Sequence, residues 1–420
     1  MSVEEKRTDE EKFIREKIKD KPLDKKSIVK KCILALALGV IFGGGATAAH
    51  FGVNALAEKL TKSEQENFVI GESGDATAGE TEESDETTEV IVEQQQLEVS
   101  DYQKLQNKIY AIGKKANKAI VTVVGSESDT DIFDTDYESE NISSGLIIGQ
   151  NSGKIIILTS YKIIEEASDI KVSFVDGYVA EARLINYDRV TGLAVISTNY
   201  SDLPSDTTEK IATATIGVNT AVNQGDVVIA AGSPLGSVYS ILFGSITSVS
   251  NEISLEDSVY TLYMTNMLGS SNSSGVLINL DGEVVGITLM QTVSSGDGST
   301  LTAVPASELK SLIEKLSNAE DSVYLGLKIS TVTDDIAEEY EIPSGVYVKS
   351  VEKDSPAFEA GIQTGDVIVA LNDTEISSAE DYMEYLAGKK PDQNIAITIM
   401  RQGKNTYKEI SCSAKLIKLE

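Results

Sequence analysis

The sequence predicts a mostly β protein with two folded units behind a single N-terminal transmembrane helix: a larger all-β barrel or sandwich, then a smaller sheet with two helices. Three observations carry this. From Ala119 to Leu289, short β-rich runs ("AIVTVVG", "KIIILTS", "LAVIST", "DVVIAAG", "GVLINL", "EVVGITL") are separated by Gly, Ser, Asn and Asp clusters without long helices, the texture of a barrel or sandwich. After Tyr324, strand-like runs alternate with the helical segments "DDIAEEYEI" and "SSAEDYMEYLAG". Near the N-terminus, "CILALALGVIFGGGATAAHFGVNALA", Cys32 to Ala57, carries no formal charge, over more than the roughly 20 residues a spanning helix needs.

Residues 1–31 form a basic tail in which "DKKSIVKK" abuts the apolar run. The positive-inside bias therefore puts this tail in the cytoplasm, residues 32–54 across the cell membrane as a single pass, and the rest outside. A cleaved signal peptide is the competing reading, with "ATA" as small residues at a cleavage site. The long charged leader and long apolar run favour an uncleaved anchor. Residues 55–100, with "GESGDATAGETEESDETTEVIVEQQQLEVS", are too acidic and too poor in aromatics to bury a core, and read as an extended linker.

Residues 101–318 form the first folded unit. They open with the helical "DYQKLQNKIYAIGKKANKAI" and close with the helix "ASELKSLIEKL". Residues 319–420 form the second, about the size of a peptide-binding module. The formal net charge of -30 argues against nucleic acid as a partner, because a phosphate backbone is bound by concentrated Lys and Arg. Cys32 and Cys412 give no disulfide framework, and no Cys/His cluster is present, so neither a metal site nor a cofactor is expected. The acidic run Asp129–Glu140, "DTDIFDTDYESE", lacks the glycine and terminal glutamate spacing of a calcium loop and reads as a solvated loop.

Six stretches, in order, resemble the HtrA/Deg family: "KIIILTSYKIIEEAS", "DRVTGLAVI", "AAGSPLGSVYSILFGSITSVS", "GSSNSSGVLINLDGEVVGI", "YLGL" and "SPAFEAGIQTGDVIVALND". The resemblance covers roughly residues 101–420. It implies a chymotrypsin-like double β-barrel followed by an α+β PDZ domain, with trimers as the family's common assembly. Serine-protease chemistry needs a serine nucleophile, a histidine base and a carboxylate that orients the histidine. In this chain the serine position is Ser273, the histidine position is Lys162 and the aspartate position is Gly192. The only histidine of the sequence is His50, in the apolar run. The family's oxyanion hole maps to Ser271 and Ser273, with Ser271 in place of the usual glycine. Taken alone, "SSNSSG" is also an ordinary polar turn.

Losing triad members removes several orders of magnitude in rate. The expectation is a membrane-anchored, extracytoplasmic HtrA-like serine protease homologue that is catalytically impaired, a pseudoprotease. The alternative is an active endopeptidase of envelope protein quality control with Lys162 as base to Ser273, a role lysine can fill when burial lowers its pKa. Either way, the resemblance assigns peptide binding to Tyr324, Leu325, Gly326, Leu327 and Ile329. Backbone N–H groups of "YLGL" would hold the terminal carboxylate of a protein or peptide, while "KISTV" would add the peptide as an extra strand. Leu325, Leu327 and Ile329 are expected to present apolar side chains to it, with burial in the core as the competing reading.

Overall fold

The computed structural model describes residues 98–130, 136–217, 220–270, 272–289, 300–404 and 406–418. The expected tail 1–31, span 32–54 and nearly all of the linker 55–100 lie outside the described residues, as does Ser271. Among the described residues no helix is long and apolar enough to cross a membrane. The chain from Glu93 onward forms one compact unit.

Helix α1 (Val99–Ala116) opens with a capping box in which the Asp101 carboxylate accepts the Glu98 N–H at 3.1 Å. It closes on Lys114 and Lys115, cations placed against the negative end of the helix dipole. The first barrel follows from β1 (Ile120–Thr130), β2 (Asp136–Asn151), β3 (Lys154–Ser160), β4 (Asp169–Ser173), β5 (Val179–Asp188) and β6 (Leu193–Asn199), closed in the order β1-β2-β3-β6-β5-β4. After the short helix α2 (Ser205–Thr208), a second barrel forms from β7 (Val227–Ser233), β8 (Ser240–Leu255), β9 (Ser258–Leu268), β10 (Ser274–Ile278), β11 (Val284–Thr288) and β12 (Thr300–Pro305), closed in the order β10-β11-β12-β9-β8-β7. Helix α3 (Ala306–Ser317) ends this part. Of the acidic run expected as a loop, Asp129 and Thr130 end β1 and Asp136 to Glu140 open β2, the strands being paired out to Thr130 and Asp136, while residues 131–135 lie outside the described residues.

The uninterrupted apolar runs follow from burial on both faces. In β3, six of seven residues are buried, as in β6 and β7. One face of these strands fills its own barrel, with Ile157, Phe174 and Ile196 in the first and Val228, Leu277 and Ala303 in the second. The other face enters a shared cluster of Leu158, Val195, Ile229, Val276 and Ile287, sealed by Leu309 and Ile313 of α3. Such strands lose the alternation of a half-exposed sheet. This shared layer sets the junction where the candidate site lies.

The C-terminal domain consists of β13 (Leu327–Val332), α4 (Asp334–Tyr340), β14 (Gly345–Val351), α5 (Pro356–Glu359), β15 (Val367–Leu371), β16 (Thr374–Glu375), α6 (Ala379–Ala387), β17 (Asn394–Gln402) and β18 (Tyr407–Lys415). Its sheet runs β13-β14-β15-β17-β18, with β16 paired to β15. Ser378 caps α6, accepting the Asp381 N–H at 3.1 Å while Asp381 accepts the Ser378 N–H at 2.9 Å. Arg401 fastens the far side: its Nε and Nη2 each lie 2.7 Å from the Asp366 carboxylate, and Nη2 also donates to the Gly361 carbonyl at 2.8 Å.

Asp366 is 1% exposed, so removing its partner strands a buried charge. Arg401→Leu is expected to destabilise the fold by about 3 kcal/mol, read as a lower urea midpoint at unchanged slope.

Candidate functional site

Gly192 and Ser274, the neighbour of Ser273, line one small cavity at the barrel junction; the resemblance sets Lys162 and Gly192 at the other two triad positions. Ser273 enters β10 from the turn after β9, and its side chain faces inward at 0% exposure. Its hydroxyl accepts the Ser270 N–H at 2.7 Å and donates to the Pro234 carbonyl at 2.7 Å, with the Ser270 carbonyl also 2.7 Å away. Its own N–H donates to the Ser270 carbonyl at 2.9 Å. Both groups that a protease would present to substrate, the nucleophilic oxygen and an oxyanion-hole donor, are thus spent on the chain's own backbone. A serine bonding back three residues is ordinary turn chemistry. Ser270 and Ser273 are thus bonded as in an ordinary polar turn.

Lys162 lies in a short 3-10 turn, Tyr161–Ile163, after β3 and is exposed. No hydrogen bond joins it to Ser273, whose partners are all backbone groups. The serine–lysine pair held as the alternative reading is not hydrogen-bonded in this structure. Gly192 begins the approach to β6 at φ 71°, a left-handed conformation that costs glycine nothing. It still ties the two loops together, since its carbonyl accepts the Tyr161 N–H at 2.8 Å and its N–H donates to the Asp188 carbonyl at 2.9 Å. Around it, Tyr161 stacks on Tyr187 with ring centroids 4.0 Å apart, Arg189 lies over Tyr161, and Arg189 pairs with Glu165 at 2.7 Å. Burial, then the Tyr187 hydroxyl, pushes the Tyr161 phenol up.

The residue after Ser273 carries a feature the sequence reading missed. Ser274 Oγ lies 2.8 Å from Ser143 Oγ and 3.0 Å from Ser144 Oγ, and accepts the Ser144 N–H at 3.2 Å. This buried serine cluster joins β10 to β2 across the junction. Beside it remains a cavity of about 30 Å³, lined by Ser160, Gly192 and Ser274 among others, room for about one water and no side chain.

In the C-terminal domain, Leu325, Leu327 and Ile329 are each 0% exposed and packed in the core with Val346, Ile368 and Ile397. Their expected presentation to a peptide is corrected: alternate apolar residues of β13 face inward, and its backbone faces the groove. Gly326, at φ 90°, sets the loop's curvature, and a side chain there would strike Ser355. Tyr324 pairs with Ile417 through both backbone groups. Its phenol is pushed up to about 12, by burial first and by the nearby Asp257 and Glu256 charges.

The loop's three amides converge on one carboxylate. Leu325 N–H and Gly326 N–H donate to Asp257 Oδ2 at 2.6 and 2.7 Å, and Leu327 N–H to Oδ1 at 3.1 Å. The Tyr382 hydroxyl of α6 adds a fourth bond, at 2.7 Å. Burial pushes the Asp257 carboxyl up, while these four bonds pull against that shift. Asp257 belongs to the two-residue turn between β8 and β9 and sits at φ 54°, a conformation Asp enters more readily than most residues. Nothing in "SLEDSV" marks it.

Comparison with known proteins matches a trypsin-like peptidase domain to residues 143–287 and a PDZ domain to residues 323–411. The "Serine protease Do-like HtrA" of Lactococcus lactis subsp. cremoris (strain MG1363) is 25% identical over 423 residues, covering 94% of this chain and 98% of that protein. The protein of the same name from Bacillus subtilis (strain 168) is 28% identical over 314 residues, covering 70% and 68%. Among solved structures, "HtrA-type protease AlgW with decapeptide" matches with a TM-score of 0.53 at 22% identity, over 74% of this chain and 99% of that one, a likeness of fold.

The double variant Lys162→His/Gly192→Asp is expected to hydrolyse fluorescein-labelled casein at least about a thousandfold more slowly than a relative with an intact triad.

Proposed function

The chain belongs to the HtrA/Deg family, joining a trypsin-like peptidase domain to a PDZ domain, and on that premise we propose that it is a pseudoprotease whose working part is the PDZ groove. The observation that carries this is Ser273, whose hydroxyl and N–H are both bound to backbone. The absence of histidine after residue 50 supports it, because no residue of that type can take the serine proton. The double barrel then serves as a scaffold. Three converging amides beside the edge strand β13 support a second part of the reading, a receptor for polypeptide C-termini, in the manner of strand-adding peptide modules.

In this reading residues 32–54 anchor the chain, with both domains outside the cytoplasm. The motivation is the uncharged run behind a basic leader. The full chain is expected to stay in the membrane pellet after alkaline carbonate extraction, and release into the supernatant would contradict the anchor.

A fluorophosphonate probe that labels activated serines tests the loss of catalysis. No labelling of Ser273 is expected between pH 7 and pH 10, with or without apolar C-terminal peptides. Labelling that rises with pH, is lost in Ser273→Ala and is lost again in Lys162→Met would instead establish a serine–lysine enzyme.

A further inference from the structure

We propose that the PDZ groove is self-ligated: the tip of the β8–β9 hairpin occupies the place of a bound peptide, with the Asp257 side chain in the role of its terminal carboxylate. An external C-terminus then binds only by displacing the hairpin. This rests on the reading of the groove as a receptor for C-termini.

Each feature that such a groove offers a ligand is taken up by the hairpin. The three loop amides hold the Asp257 carboxylate at 2.6–3.1 Å, and a side-chain carboxylate offers the same two-oxygen anion as a chain terminus. Strand β13 is the end strand of its sheet, and an edge invites pairing. Its open edge is met by an antiparallel bridge between Glu256 and Lys328, with Asp257 N–H donating to the Leu327 carbonyl at 2.6 Å. Ser254 Oγ donates to the Ile329 carbonyl at 2.7 Å, and Lys328 pairs with Glu256 at 3.1 Å. The opposite wall, α6, supplies Tyr382 to the carboxylate and Met383, whose sulfur accepts the Val259 N–H at 3.2 Å.

The hairpin reaches the groove because β8 is long. Register shifts between Ile246 and Ser248 and between Ser248 and Asn251 bend the pair, as bulges do. At its other end the hairpin is part of the second barrel, β8 pairing with β7 and β9 with β12. Displacement by a ligand therefore acts on the barrel that carries Ser273. A cleft of about 850 Å³ lies against the tip, lined by Glu256, Val259, Tyr260, Tyr324 and Met383 among others, so a polypeptide end can approach from that side. An internal competitor lowers the apparent affinity of any external ligand by the fraction of molecules it holds closed.

The test titrates the full chain, as wild type, Asp257→Ala and Asp257→Asn, with fluorescein-labelled decapeptides ending in Val, Leu or Phe, each with a free carboxylate or a C-terminal amide. Both variants are expected to bind the free-carboxylate peptides at least about tenfold more tightly than wild type, with no such gain for the amides. Equal affinity in all three proteins would overturn self-ligation. Hydrogen exchange at the Leu325, Gly326 and Leu327 amides gives an independent reading without added ligand. Faster exchange there in Asp257→Ala supports self-ligation, and unchanged exchange overturns it. Faster exchange with no peptide binding by any of the three proteins would support the internal contact while sinking the receptor reading.

Discussion

The hydroxyl of Ser273 is buried, and a buried hydroxyl is stable only when its donor and acceptor are both engaged. A working protease meets that demand with a histidine on the cleft side of the serine. Here Lys162, which the resemblance sets at the histidine position, is exposed, and the demand is met by Ser270 and Pro234. The same logic fills the rest of the junction. Ser274 bonds to Ser143 and Ser144, and Tyr161 stacks on Tyr187. The loops that carry Lys162 and Gly192 are tied through Tyr161 and Gly192. What persists is what the barrels need in order to pack.

A parallel constraint operates in the C-terminal domain. Amides of a carboxylate loop that point at one spot are costly when left dry and unpaired. The second barrel supplies the anion through Asp257. The two domains are therefore connected by the contact that a ligand would contest, so that receptor occupancy and hairpin position are a single equilibrium.

Much of the fold was legible because its strands are buried on one or both faces. "KIIILTS" and "LAVIST" lie in β3 and β6 as continuous runs, and "SSAEDYMEYLAG" starts at its Ser378 cap. Only the ends of the acidic run belong to β1 and β2, and such polar segments carry no hydrophobic period from which a strand could be read. Family resemblance points to Ser273, Lys162 and Gly192, but a sequence position says nothing of which way a hydroxyl turns. Leu325 and Leu327 were expected at the groove because "YLGL" names the loop, whereas its chemistry is in the amides. Asp257 was invisible for a plainer reason: its amide partners are 68–70 residues away in the chain and Tyr382 is 125 away, and a lone Asp in a turn has many ordinary uses.

The most direct test of the account is an experimental structure of the chain bound to an apolar C-terminal peptide. The account predicts the peptide carboxylate on the Leu325, Gly326 and Leu327 amides with Asp257 withdrawn, and Ser273 Oγ still bonded to the Pro234 carbonyl. A structure in which peptide binding turns Ser273 Oγ into the cleft, within about 3 Å of Lys162 Nζ, would contradict it and return the chain to the enzymes.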